Sequence, residues 1–359
     1  MASTGINYEA LTPDNGAIRS LKELIFAAVT KAPEITSMFN VVPGQQHGKK
    51  VGIIGDFGLV GKKSQGCNPT YGNSILKAKE KTWSIKEWEI AESLCYDDLK
   101  GTLAQVAMRT KTDVADLTGT EYVDEILMPK LERAAQLAVL RLGWFGDEEA
   151  TSVADGGVIA NEEEVVYFNA TNGIWKQIFE LVAENAERRV AIAANAKTSK
   201  EEQKSAIKES GVATTLLDDL ITEAPMELRQ AEGQRIYITQ SIKDALDADI
   251  KKNNKGSDLA WEALFYGITK TVYNGVELIA IPFWDAIIRN HEGSSNGAYN
   301  KPHRAIYTAK DNLLLGFEGE NEVVDIQSFF VQKDQMNYIL AKDTLGSLIA
   351  DDNLIQVAF

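Results

Sequence analysis

The clearest hydrophobic pattern in the chain runs from Glu121 to Leu142, EYVDEILMPKLERAAQLAVLRL. Val123, Ile126, Leu127, Leu131, Ala134, Ala135, Ala138, Val139 and Leu142 recur there at steps of three and four, which lays one apolar stripe along a helix. A continuous helix of this length would span roughly 33 Å at about 1.5 Å per residue. Pro129 removes a backbone donor and crowds the preceding turn, so the pattern predicts either a kink or a restart in which Met128 ends a first short segment. Arg141 followed by Gly143 and the aromatics Trp144 and Phe145 predicts a stop just after Leu142.

Elsewhere the pattern divides the chain into unlike parts. Residues 1–45 hold one short amphipathic helix after Asp14 or Asn15, carrying Ile18, Leu21, Leu24, Ile25 and Ala28, then Pro33, Pro43 and Gly44. Such an arm cannot form a core alone, and its stripe is expected to dock elsewhere on the chain or on a neighbouring copy. Residues 46–82 alternate glycine-interrupted strand signals, VGIIGDFGLVG and then NSILKAKEKTW, which predict a long two-stranded excursion. Trp83, Ile85, Trp88 and Ile90 drift out of period two, so a strand is expected to fail near Trp88 and give way to helix.

Residues 147–164 are acidic and glycine-containing, as in a loop, and a mixed lobe begins near Val165. Asn169 or Thr171 is expected to cap a helix carrying Ile174, Trp175, Ile178, Phe179 and Val182, and Ser199 with Glu202 has capping-box spacing. Pro225 cuts the next helix; RIYITQ then reads as a strand, SIKDALDADIKKN as a helix, and Asn274-Gly275 as a hairpin turn. From His303 onward five strand-like runs follow with short turns. They predict one antiparallel sheet, with the long helix lying on it.

Composition adds bounds. With 359 residues, 44% hydrophobic and 25% charged, the chain can bury a sizeable core in two or three lobes. No run reaches the length of a membrane span and MASTGINYEA lacks signal-peptide character, so a soluble protein remaining in the cytoplasm where it is made is expected. Cys67 and Cys95 read as free thiols. Net charge is −15, which opposes tight non-specific binding to nucleic acid. The charge is uneven: residues 49–81 hold Lys49, Lys50, Lys62, Lys63, Lys77, Lys79 and Lys81 against Asp56 and Glu80, a balance of +5 that leaves −20 for the rest. A basic projection on an acidic body suits contact with another copy of that body, and these seven lysines are the candidate inter-subunit contacts; a solvated loop is the competing reading.

Recognisable catalytic chemistry is missing from the sequence. His47, His291 and His303 show no metal-ligand spacing and read as surface or loop residues. Gly52, Gly55 and Gly58 do not match a dinucleotide fingerprint, and no Walker loop or nucleophile elbow occurs. The pairs Asp97-Asp98, Asp218-Asp219 and Asp351-Asp352 read as solvated carboxylates, and the six tryptophans as packing groups. No enzyme activity, cofactor or metal is expected.

The order of parts, an arm, a basic hairpin, a long helix ending at a glycine, a mixed lobe and closing strands, resembles the major capsid proteins of tailed bacteriophages, the Hong Kong 97-like fold also used by encapsulin shells. KTWSIKEWEIAESLCYDDL is similar to that family's passage from extended loop to peripheral domain, and LERAAQLAVLRLGWFGD to its spine-helix ending. APMELRQAEGQRIYITQSIKDAL and YNGVELIAIP resemble elements of its axial domain. The resemblance implies an α+β fold divided as N-arm 1–45, E-loop 46–82, first part of the P-domain with the spine helix 83–160, A-domain 161–318 and closing P-domain strands 319–359. It further implies self-assembly as hexamers and pentamers into an icosahedral head in the virion, built in the host bacterial cytoplasm. Double-stranded DNA would be held inside without sequence-specific binding; portal, scaffold or decoration proteins are the other partners, and no membrane is involved. No scaffolding-like region precedes the arm and no protease site is evident, departures that leave a self-carried scaffold in question. An encapsulin-type compartment shell is the alternative within the fold, and an enzyme with a glycine-rich lid the alternative outside it.

Overall fold

A computed structural model of the chain describes residues 33–54, 63, 78–95, 128–150, 165–253, 259–264, 267–292, 297–318, 325–331 and 336–359. The predicted N-terminal helix, the first part of the long helix and both cysteine side chains lie outside what is described.

The long helix is α2, Met128–Phe145. Pro129 is the second residue of its described part, and the residues before Met128, on which the expected kink or restart depends, lie outside what is described. Gly143 does not stop it, contrary to expectation. Trp144 and Phe145 are both fully buried, and continuing the helix is what places them there: Trp144 lies 4.7 Å from the Phe39 ring and 4.7 Å from Trp284. Gly143 serves packing instead, since a Cβ there would stand 3.2 Å from Leu315 Cδ1. The stop falls at Gly146, whose N–H bonds Leu142 O at 3.0 Å and whose missing side chain makes room for Thr171 O; a Cβ would come within 2.1 Å of that oxygen.

The apolar stripe of α2 (Leu131, Ala135, Ala138, Val139, Leu142) packs on a sheet containing β1 (Asn40–Val42), β4 (Lys86–Cys95), β11 (Leu313–Gly316), β12 (Asp325–Val331) and β13 (Met336–Ile349). β13 is the organising strand. It pairs antiparallel with β11 through Gly346–Ile349, with β12 through Met336–Lys342 and with β4 through Met336–Leu345. β4 therefore does not fail at Trp88. The phase drift reflects a strand with an acidic exposed face at Glu87 and Glu89 and one buried aromatic, Trp88, rather than a transition to helix. The arm contributes α1 (Pro33–Thr36) and β1, and its Ile35, Met38 and Phe39 enter the main core.

The second sheet has seven strands in the order β5-β14-β10-β6-β9-β8-β7: Arg189–Val190, Ile355–Ala358, Ala305–Ala309, Gln234–Thr239, Val276–Ile281, Thr269–Tyr273 and Glu262–Ala263. The closing strands are thus split between two sheets, which corrects the single antiparallel sheet expected. β10 and β14 are buried on both faces, and only the centre of a covered sheet accepts such strands. Tyr237, Ile279, Ile306 and Val357 face the core shared with α2, whereas Ile236, Leu278, Tyr307 and Ala358 face a second core under α5 (Val212–Thr222) and α7 (Gln240–Asn253). The Asn274-Gly275 turn forms as predicted, with both residues at positive φ, 49° and 83°. Pro225 separates α5 from α6, Met226–Gln230.

α3 (Ile174–Glu184) is capped by Gly173 with no side-chain bond, not by Asn169 or Thr171; the close approach of Gly173 to the backbone of Trp144 and Gly146 leaves no room for a Cβ. Ser199 caps α4, Lys200–Ile207, accepting from Glu202 N, while the Glu202 carboxylate bonds Thr198 rather than closing the box. At the join of the two lobes the fully buried Arg304 pairs with the fully buried Glu292 of the loop after α8 (Pro282–Asn290), and its guanidinium lies 5.1 Å from the Trp175 ring centre. No helix among the described residues is long and apolar enough to cross a membrane.

Candidate functional site

The basic excursion is a two-stranded sheet at its base, β2 (Lys50–Ile54) against β3 (Ala78–Thr82), with register Lys50↔Thr82 to Ile54↔Ala78. Pairing continues inward, Trp83 N donating to Lys49 O and Gly48 N to Trp83 O, both at 2.9 Å. What fixes the base is a small separate core of Trp83, Ile85, Leu314 and Leu348. Two paired glycines, one ending β11 and one within β13, make it possible. A Cβ on Gly316 would stand 2.7 Å from the Trp83 ring, and one on Gly346 would stand 2.6 Å from Ser84 O. Polar ties complete the anchor: Ser84 Oγ bonds Glu148 at 3.1 Å, and Lys86 reaches Glu148 at 3.4 Å. The sequence reading missed this anchor; its signal was glycine closing the apolar runs NLLLG and DTLG.

The seven lysines fall into different settings. Lys50 pairs with Glu80 at 2.6 Å, which raises its pKa, and Lys81 pairs with Asp352 in the turn before β14. Lys49 is exposed and donates to Gly44 O at 3.3 Å, and Lys63 is exposed. Lys79 stands opposite Ile53 in β3, while Lys62 and Lys77 lie outside the described residues. Two of the lysines thus meet carboxylates of their own chain, and Asp352 is a bridging group rather than a solvated one. Asp218 likewise accepts from Tyr273 Oη and Asn274 Nδ2, holding the hairpin turn.

Among the described residues, an arrangement that invites a catalytic reading lies where β6 meets α7. A cleft of about 330 Å³ is lined there by Ser241, Asp285, Arg289 and His303, with Lys200 and Lys204 of α4 at its rim. His303 is buried, contrary to expectation: Nδ1 lies 2.8 Å from Ser241 Oγ and Nε2 lies 3.1 Å from Gln203 O. Burial pushes its pKa down to about 4, too weak a base to activate a hydroxyl near neutral pH. The amide donors beside Ser241 are also taken, since Asp285 accepts from Gln240 N at 2.6 Å and Ser241 N at 3.3 Å. The cluster is a structural joint between α4, α7 and α8.

It carries a pH signature. His303 stays neutral in the fold, so its contribution is present above pH 6.5 and is lost as pH falls through about 4. Asp285, raised by burial to about 6, acts oppositely: its contribution is present below 3.8 and lost as pH rises through about 6. Each is worth about 3 kcal/mol at about 1.4 kcal/mol per pKa unit, so in the wild type they largely cancel between pH 4 and 6. Urea titrations should show Asp285→Asn losing about 3 kcal/mol relative to wild type as pH falls from 6 to 4, and His303→Gln gaining a similar amount. Parallel pH profiles for all three proteins would contradict this assignment.

No protein-family model matches the chain. No curated protein matches it either. Solved structures do. A chain of the satellite phage P4 procapsid including size determination (Sid) protein aligns with a TM-score of 0.53 at 10% identity, over 95% of this chain and 98% of that one. A chain from Gordonia phage Cozz aligns at 0.47 and 12% identity over 89% and 84%, and one from the virus-like particle of Pyrococcus furiosus at 0.41 and 12% over 95% and 98%. The alignment with the P4 procapsid carries the comparison. It takes in nearly the whole of both chains, and the α+β architecture described above is the Hong Kong 97-like capsid fold.

Proposed function

We propose that this chain is the shell-forming subunit of a tailed-phage head, a major capsid protein assembling as hexamers and pentamers around double-stranded DNA. The observation that carries this reading is end-to-end correspondence with a procapsid chain, including the parts that no enzyme core requires: an arm joined to the peripheral sheet and an anchored basic hairpin. In this reading residues 1–45 are the N-arm and 46–82 the E-loop. Residues 83–160 and 319–359 are the P-domain and 161–318 the A-domain, with β11 carried by the P-domain sheet and β14 by the A-domain sheet.

Mechanism is then assembly. A hairpin laid across the next copy makes a head-to-tail contact, and a rotation that closes yields rings. Its lysines bring opposite charge to an acidic neighbour, which favours encounter and register more than raw affinity. The acidic body suits containment of DNA without tight binding. The virion is the place of the assembled protein and the host bacterial cytoplasm the place of assembly, with portal, scaffold or decoration proteins as further partners.

Size-exclusion chromatography with negative-stain electron microscopy of the purified protein tests the reading directly: closed shells or rings of five and six are expected, and a stable monomer across concentration and salt, even with neighbouring structural proteins added, would refute it. Lys62→Glu with Lys63→Glu is expected to cut shell yield at least tenfold while leaving the thermal midpoint within about 2 °C; undiminished yield would count against the role given to the hairpin charge.

A further inference from the structure

Arg141, near the end of α2, is a half-buried guanidinium with no carboxylate partner among the described residues. Its Nε donates to Tyr167 O at 3.0 Å, and its Cζ lies 5.7 Å from the Tyr167 ring centre and 5.6 Å from that of Phe168. A guanidinium has five N–H donors in a planar fork, and this bond uses one of them. Burial without a counter-charge pulls the pKa of Arg141 below its ordinary value. The side chain is thus fixed in direction and short of an anion.

It lines a cleft of about 350 Å³, near the lower end of the roughly 300–1,000 Å³ that small-molecule sites occupy. Trp88, Leu142, Val166 and Tyr167 give the cleft apolar walls. Val166 is 67% exposed and Tyr167 60%, adjacent large side chains on one turn of 3-10 helix, Val165–Tyr167. The Arg141 bond to Tyr167 O ties that turn to α2, so the apolar wall is in place before anything binds, which lowers the ordering cost of a contact.

Three other charges line the same cleft, Glu87, Glu89 and Lys342, and the formal sum with Arg141 is zero. Access to water separates them. Glu89 and Lys342 pair at 3.4 Å with both side chains about half exposed, and they offset one another. Glu87 is exposed and makes no ion pair among the described residues, so solvent and salt screen it. Arg141 is the charge that solvent reaches least, and a buried charge is the one that gains most from a partner.

We infer that this cleft is a binding site for a small oxyanion, carboxylate or phosphate, attached to a flat apolar body. The Arg141 fork takes two oxygens of the head, and the wall of Trp88, Val166 and Tyr167 covers the body. The inference goes beyond the shell reading and does not depend on it.

Phenylglyoxal modification of the full chain, read at Arg141 by peptide mass spectrometry, tests the site. Arg141 is expected to react, and millimolar phenyl phosphate or benzoate to slow that reaction about fivefold, with chloride at equal ionic strength giving no such protection. Inorganic phosphate and acetate, heads without a body, are expected to protect less, and comparing the phosphate with the carboxylate probes identifies the preferred head. Glu87→Gln, at an exposed position, is expected to strengthen protection by removing a negative charge from the rim. An Arg141 that reacts equally with and without the probes, or does not react at all, would overturn the site. Shielding released by changing Glu162, Glu163 and Glu164 together to glutamine would assign the guanidinium to acids of its own chain and overturn it as well. Equal protection by acetate and benzoate would overturn the part given to the apolar wall.

Discussion

Replacing Arg304 by alanine is expected to lower unfolding stability by about 3–5 kcal/mol, read as a shift of the urea midpoint at constant slope. The guanidinium and the Glu292 carboxylate are both fully buried, with two guanidinium–carboxylate contacts, and Arg304 also donates to Lys301 O at 2.9 Å and Asn300 O at 3.0 Å. Removing the arginine takes its donors from a buried carboxylate and from two carbonyls, and breaking a buried pair costs more than the pair contributes. It also empties the space beside Trp175, Phe145 and Phe179, over which the guanidinium lies at 5.1–5.8 Å from each ring centre. Replacing both partners by methionine should recover most of the loss, because neither charge then remains to be solvated. A loss under about 1 kcal/mol in the single variant would show that the pair is not shielded from water as described.

Trp83→Ala is expected to act on assembly more than on the body of the subunit. The indole is 1% exposed and belongs to the small core of Ile85, Leu314 and Leu348, apart from the two large cores. Truncating a buried tryptophan costs about 3–5 kcal/mol, and here that cost falls on the joint between hairpin and sheet. The hairpin should lose its fixed direction: amide exchange at residues 48–54 and 78–85 is expected to rise at least tenfold and shells to disappear. Gly316→Ala approaches the same joint from the other side, since its added methyl would press within 2.7 Å of the ring. If Trp83→Ala assembles into shells in full yield, hairpin direction is not set at this joint.

The distribution of these effects follows from what was local and what was not. Helix α2, the Asn274-Gly275 turn, the break at Pro225 and the cap at Ser199 were legible because each depends on spacing within a few residues, and periodicity or turn chemistry suffices. The seven lysines were legible as a charge excess, but composition does not distinguish Lys50 and Lys81, matched inside the chain, from Lys63, which is exposed. The buried His303 was misread because three isolated histidines carry no information about the helices that close over one of them.

By itself the sequence determined the inventory: an arm, a basic excursion, a long amphipathic helix, a mixed lobe and a strand-rich end, all encoded by short-range hydrophobic periods and turn residues. Tertiary structure decided where the pieces go. It carried α2 past Gly143 because Trp144 and Phe145 gain a core by continuing, and it kept β4 extended because β13 offers ten paired positions. It also sent β14 into the second sheet because a strand buried on both faces is stable only between two cores. Each of those outcomes is set by partners more than a hundred residues away, or by contacts between separate elements, which no local pattern contains.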